Sequence, residues 1–101
     1  DIENNNPADA AKRYLEADKN KDLYHSFILK AGKTRQSEYA DYVKNMQWSG
    51  ITAYEFTGYR ESFNTAQVFF SITKQGKQQK AVLFMLLEEG IWKVHDYYII
   101  R

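Results

Sequence analysis

Lys80-Ala-Val-Leu-Phe-Met-Leu-Leu-Glu-Glu-Gly-Ile-Trp-Lys-Val-His-Asp-Tyr-Tyr-Ile-Ile-Arg101 is the stretch that decides the fold. It reads as two long strands joined by a tight turn at Glu88-Glu89-Gly90. Side chains alternate between the faces of a strand, so in the first strand (about Gln79 to Leu87) Val82, Phe84 and Leu86 form one row. Ala81, Leu83, Met85 and Leu87 form the other. An antiparallel sheet with one solvated face alternates apolar and polar residues. Here both rows are apolar, so both faces need cover.

Upstream, Phe63 to Lys74 alternates as a strand should, with Ala66, Val68, Phe70 and Ile72 on one face. Gln75-Gly76-Lys77 is a hairpin turn in which Gly76 supplies a positive φ. Ile51 to Glu61 is rich in β-formers and lacks a helical period. The chain therefore ends in a four-stranded meander.

Before Ile51 the period is helical. Asn6-Pro7 starts a first helix, with Asn as N-cap, Pro at the first helical position and Asp9 in the first turn. It runs to about Lys19, with Ala10, Ala11, Tyr14, Leu15 and Ala17 as its apolar face. Asp22 caps a second helix carrying the i,i+4 pairs Leu23/Phe27 and Tyr24/Ile28, and Ala31-Gly32 is expected to end it. Thr34 or Ser37 caps a third, whose apolar stripe is Tyr39, Tyr42, Val43 and Met46. Residues 1–6 form a polar, flexible lead, and residues 7–101 a single domain.

Three helices followed by four antiparallel strands predict an α+β domain with the helices packed on one face of a curved sheet. Helices on one side leave the other side of the third strand bare. The expected cover is a second copy of the chain, docked on Val82, Phe84 and Leu86; a sheet curled over its own face is the alternative.

Composition excludes several functions. The 101 residues hold 14 Lys/Arg and 13 Asp/Glu, balanced in both halves, so no basic face points to nucleic acid. The basic cluster between Lys19 and Arg35 reads as a solvated helix surface. There is no Cys, hence no thiolate chemistry or disulfide. Two His without HxH or HExxH spacing argue against a metal site, and His25 reads as a surface residue. No phosphate loop or Ser nucleophile elbow occurs, and no cofactor is expected. No run is long and apolar enough to insert in a membrane. The chain begins at Asp1 rather than Met, which is expected of a mature or trimmed chain whose export signal has been removed.

Two segments carry a family likeness. Ala11-Lys-Arg-Tyr-Leu-Glu-Ala-Asp-Lys-Asn-Lys-Asp-Leu-Tyr-His-Ser-Phe27 resembles the opening helix pair of the nuclear-transport-factor-two-like (cystatin-like cone) superfamily. Phe84-Met-Leu-Leu-Glu-Glu-Gly-Ile-Trp-Lys-Val-His-Asp-Tyr97 resembles its last hairpin, a polar Gly turn before Trp-Lys-Val. Thr65-Ala66-Gln67-Val68, preceded by a strand like residues 50–61, is similar to a bacterial branch of exported, often lipid-anchored domains of unknown function. The resemblance spans about residues 7–98. It implies a cone-shaped fold and leaves function open, because the superfamily hosts isomerases, dehydratases, binding proteins and secretion-system parts.

The resemblance also turns Trp92 and Val94 toward the helices. In a regular strand Asp96 and Tyr98 then share that face and become the catalytic candidates, while His95 points away from Asp96. Tyr14, Tyr39, Tyr42, Tyr54, Phe56 and Trp92 could line a pocket for a small apolar ligand, or simply fill the cone. The leading expectation is a non-enzymatic exported bacterial domain, periplasmic or at the cell surface, lipid-anchored or free. It would pair as a homodimer through its sheet and hold a small apolar ligand. The alternatives are an isomerase- or dehydratase-like enzyme with Asp96 as base, and a component of a secretion or conjugation assembly.

Overall fold

A computed structural model describes residues 6–32 and 36–100, backbone only at 36 and 37. The expected flexible lead (save Asn6) and the Thr34 cap lie outside the described residues. Three helices, α1 (Pro7–Asn20), α2 (Leu23–Ile28) and α3 (Gln36–Asn45), precede four strands: β1 (Ile51–Glu61), β2 (Thr65–Lys74), β3 (Lys77–Glu88) and β4 (Ile91–Ile100). The strands form one antiparallel sheet in the order β1-β2-β3-β4. The architecture is the α+β one expected, with α1 laid across one face of an open, curved sheet.

Local chemistry sets the helix starts. The Asn6 side chain accepts the Ala8 N–H at 2.7 Å, and Asp22 accepts the His25 N–H at 3.2 Å, each satisfying a donor the helix leaves unpaired. Lys21 closes α1 in the left-handed conformation, φ 58°. Ser37 lies inside α3 rather than capping it.

α2 stops at Ile28, short of the Ala31-Gly32 terminus the sequence suggests. Lys30 instead forms a parallel bridge with Val94 at the edge of β4. Val94 N–H donates to Leu29 O, and Ala31 N–H to Val94 O, both at 2.7 Å. These bonds satisfy edge groups of β4 that would otherwise be open, which outweighs two more residues of helix.

Both β2-β3 and β3-β4 turns have two central residues at positive φ, Gln75-Gly76 and Glu89-Gly90, as a two-residue hairpin requires. The core lies between α1 and the inner face of the sheet. Leu15, Val68, Phe70, Ile72, Leu83, Met85 and Val94 are its largest fully enclosed members.

One irregularity redirects the end of the chain. Met85 pairs with Val94 and Phe84 with Asp96, so His95 has no partner and β4 carries a bulge there. Trp92 and Val94 face the helices, as expected. Beyond the bulge the alternation resets, and Tyr97 and Ile99 pack against the core. Asp96 and Tyr98 therefore stand on the outer face, not toward the cone. The expected separation of His95 from Asp96 fails for the same reason: His95 Nδ1 and Asp96 Oδ2 are 2.8 Å apart.

Candidate functional site

Two surfaces could carry function, the interior of the cone and the outer face of the sheet. In the interior, α1 contributes Tyr14 and Asp18, spaced i,i+4 on its buried face. Tyr14, nearly buried, lies among Ser26 from α2 and Tyr42 from α3, and Ser26 Oγ and Tyr42 OH share a hydrogen bond. Burial first, and then the neighbouring Tyr42 and Asp18, push the Tyr14 pKa well up. Burial also raises that of Tyr42. Both phenols are neutral and act as hydrogen-bonding fillers.

Asp18 was not singled out by its sequence. It accepts the Ser49 N–H at 3.1 Å and the Ser49 hydroxyl, tying the α3-β1 connection to α1. A legible signal existed: an Asp four residues after Tyr14 on an otherwise apolar helix face needs a partner. Tyr97 reaches toward the same pair. Its hydroxyl is enclosed and makes no hydrogen bond; Ser49 lies near enough to temper the pKa rise that burial causes, with Asp18 adding to that rise.

The six expected pocket residues do not meet around one cavity. Tyr14 and Tyr42 come together at the mouth of the cone. Tyr39, with Tyr42, packs edge-on against Phe27 at ring-centroid distances of 5.1 and 5.4 Å. Tyr54 and Phe56 sit on β1, both edge-on to Phe70; Tyr54 donates to Glu16 at 2.6 Å, and the Lys12 ammonium stands 4.8 Å from the Phe56 ring centre. Trp92 is core. Beside α3 the opening is a recess of about 230 Å³ touching Tyr14, Lys30, Asp41, Tyr42 and Met46, smaller than pockets that enclose a drug-sized ligand.

A groove of about 430 Å³ between α1 and α2 contains none of these six residues. Its carboxylates are engaged within the chain, Glu16 by Tyr54 and Asn20, Asp22 by His25. The Tyr54 hydroxyl holds Glu16 below the usual carboxylate range, and the His25 N–H does the same for Asp22.

The outer face is different in kind. Val82, Phe84 and Leu86 point away from the helices, because Ala81, Leu83 and Met85 are buried under them. Phe69 neighbours Val82 across β2, and Phe84 meets Tyr98 edge-on at 5.5 Å. Tyr98 is 50% exposed and Ile100 45%, yet Val82 between its neighbours is only 7% exposed. A dimple of about 260 Å³ opens among Thr65, Phe84, Leu86, His95, Asp96 and Tyr98. Asp96 and Tyr98 thus border the apolar surface of Val82, Phe84 and Leu86, remote from the tyrosines of the cone. Among the described residues no group of three or more His, Cys, Asp or Glu could hold a metal ion. No described helix is long and apolar enough to cross a membrane.

No protein-family model matches the chain, and no curated protein matches it. Among solved structures it is similar to an NTF2-like protein of unknown function from Cytophaga hutchinsonii. The match covers 94% of this chain and 90% of that one, with a TM-score of 0.55 and 13% identity. At that identity the likeness shows the fold: three helices on a curved four-stranded sheet form an NTF2-like cone.

Proposed function

We propose that this NTF2-like cone, its sheet covered by helices on one side only, is a non-enzymatic interaction module that pairs with a second copy through the other side. The observation that carries the reading is the outer row Val82, Phe84 and Leu86, flanked by Phe69, Tyr98 and Ile100, with no described helix over it. A contiguous apolar patch of this kind on a small domain marks an interaction site. The enzyme reading draws no support from Asp96 and Tyr98, which the bulge turns away from the cone. The ligand reading draws little from an interior filled by Tyr14, Tyr42 and Trp92. An exported bacterial setting is part of the proposal, supported by the resemblance of residues 50–68 to exported domains; the upstream gene sequence tests it through a signal peptide or lipobox.

Phe84→Lys tests the interaction directly. A lysine on a solvated outer face is tolerated, whereas at a dimer interface it places a charge in an apolar contact. The variant is expected to keep its circular dichroism spectrum and to sediment as a monomer under conditions where the parent is dimeric. Unchanged association would count against the proposal.

A further inference from the structure

The strand register sets which outward residues stand side by side across the sheet. Outward residues stand in rows across the sheet. Arg60 pairs with Gln67, Gln67 with Phe84, and Phe84 with Asp96, one residue from each strand. The next row is Gly58, Phe69, Val82 and Tyr98, and the third is Glu55, Ser71, Lys80 and Ile100. The first row is charged at its ends, positive on β1 and negative on β4, and apolar or amide between them.

The geometry points to an isologous dimer whose two-fold axis runs parallel to the strands and between β2 and β3, setting Arg60 of each chain against Asp96 of the other. This rests on the sheet-pairing reading above and adds the symmetry axis and the polar contact. A two-fold axis in that position reverses each row onto its copy. Arg60 then faces the partner's Asp96, and Gln67 faces the partner's Phe84. Gly58 faces the partner's Tyr98, where a Cβ on Gly58 would meet open space within its own chain. The absent side chain leaves room for the tyrosine ring. Phe69 faces the partner's Val82, and Ser71 the partner's Lys80.

Charge favours this axis over parallel axes at either edge of the sheet. Among the described residues no carboxylate pairs with Arg60, while Asp96 has only the exposed His95 ring beside it. An axis along β4 or along β1 would stack Asp96 on Asp96 or Arg60 on Arg60, and like charges in contact oppose association. Near-parallel strand directions in the two sheets also match the aligned packing that facing sheets prefer.

The chain has no cysteine, so single thiols report the axis cleanly. Arg60→Cys chains are mixed with Asp96→Cys chains carrying a size tag, then treated with a bis-maleimide spanning roughly the 10 Å between packed sheets. The expected product is a crosslink between the two different chains, with little between like chains. Crosslinking of like chains at equal yield would overturn the axis. So would absence of crosslinking while both chains still sediment as dimers, and the dimer reading itself would then stand. If the unsubstituted chain is a monomer, both fall. Charge reversal supplies an independent arm. Arg60→Glu and Asp96→Arg should each weaken association by about tenfold or more, and the double variant should restore most of it. Additive losses in the double variant would equally overturn the pairing.

Discussion

Replacing Tyr97 by Phe removes a single oxygen and is expected to stabilise the domain. The Tyr97 ring packs against the core beyond the β4 bulge, and its hydroxyl is enclosed without a hydrogen bond. A buried hydroxyl that has lost its water and gained no partner costs about 1–3 kcal/mol. Asp18 and Ser49 lie near enough to offset part of that, so the lower end, about 1 kcal/mol, is the expected gain. An unfolding entropy of about 2.1 cal/mol/K per residue gives about 0.2 kcal/mol/K for a chain of this length, and the gain corresponds to a rise of about 5 °C in Tm. The assay is a thermal melt followed by circular dichroism at one fixed protein concentration, since association also raises Tm. Tyr24→Phe is the control: Tyr24 is exposed on α2, away from the sheet, and should melt with the parent. A fall of several degrees for Tyr97→Phe would mean that the enclosed hydroxyl is bonded in the folded chain, and would refute the expected gain.

Leu83→Ala removes a fully enclosed side chain from a central strand and should lower the unfolding free energy by about 2–5 kcal/mol in a denaturant titration; a loss below about 1 would contradict its placement. The Tyr54 hydroxyl is pushed up to about 12, chiefly by burial and then by its bond to Glu16, from an ordinary value of 10.0. A raised pKa favours the protonated form in the folded state, so this contribution is complete below pH 10 and is lost as pH rises toward 12. Tyr54→Phe should therefore flatten the alkaline loss of stability across that window, and an unchanged profile would contradict it. Glu16 has the opposite sign: its depressed pKa contributes stability above the ordinary carboxylate range that is lost on acidification. In Tyr54→Phe its carboxyl resonance should titrate at higher pH than in the parent, and an unmoved midpoint would sink the linkage.

Much of the architecture was legible because the period of the apolar residues changes at Ile51 and each element has its own punctuation. Asn6-Pro7, Asp22, Gln75-Gly76 and Glu89-Gly90 mark ends that the structure keeps. The doubly apolar third strand likewise announced a second apolar row, and Val82, Phe84 and Leu86 do point away from the helices. What escaped was long-range. No Gly or Pro marks the bulge at His95, and it forms where β4 must both follow a curved sheet and accept residues 29–31 at its edge. One unpaired residue then moved Asp96 and Tyr98 to the opposite face and brought His95 and Asp96 together. Asp18 escaped because its partner Ser49 lies 31 residues away, beyond any local pattern. α2 is shorter than its sequence suggests because the residues after Ile28 bond to the edge of β4 rather than continue the helix. The tyrosines read as pocket lining or core filling, and only the fold shows that Tyr54 and Phe56 pack on Phe70 while Tyr14 and Tyr42 gather around Ser26.

Sedimentation equilibrium of the unsubstituted chain across micromolar concentrations tests the central claim most directly. One chain weighs 11.9 kDa. A bare apolar sheet face that serves as a pairing surface predicts a mass rising with concentration toward twice that value. A constant mass of one chain over the whole range would contradict it.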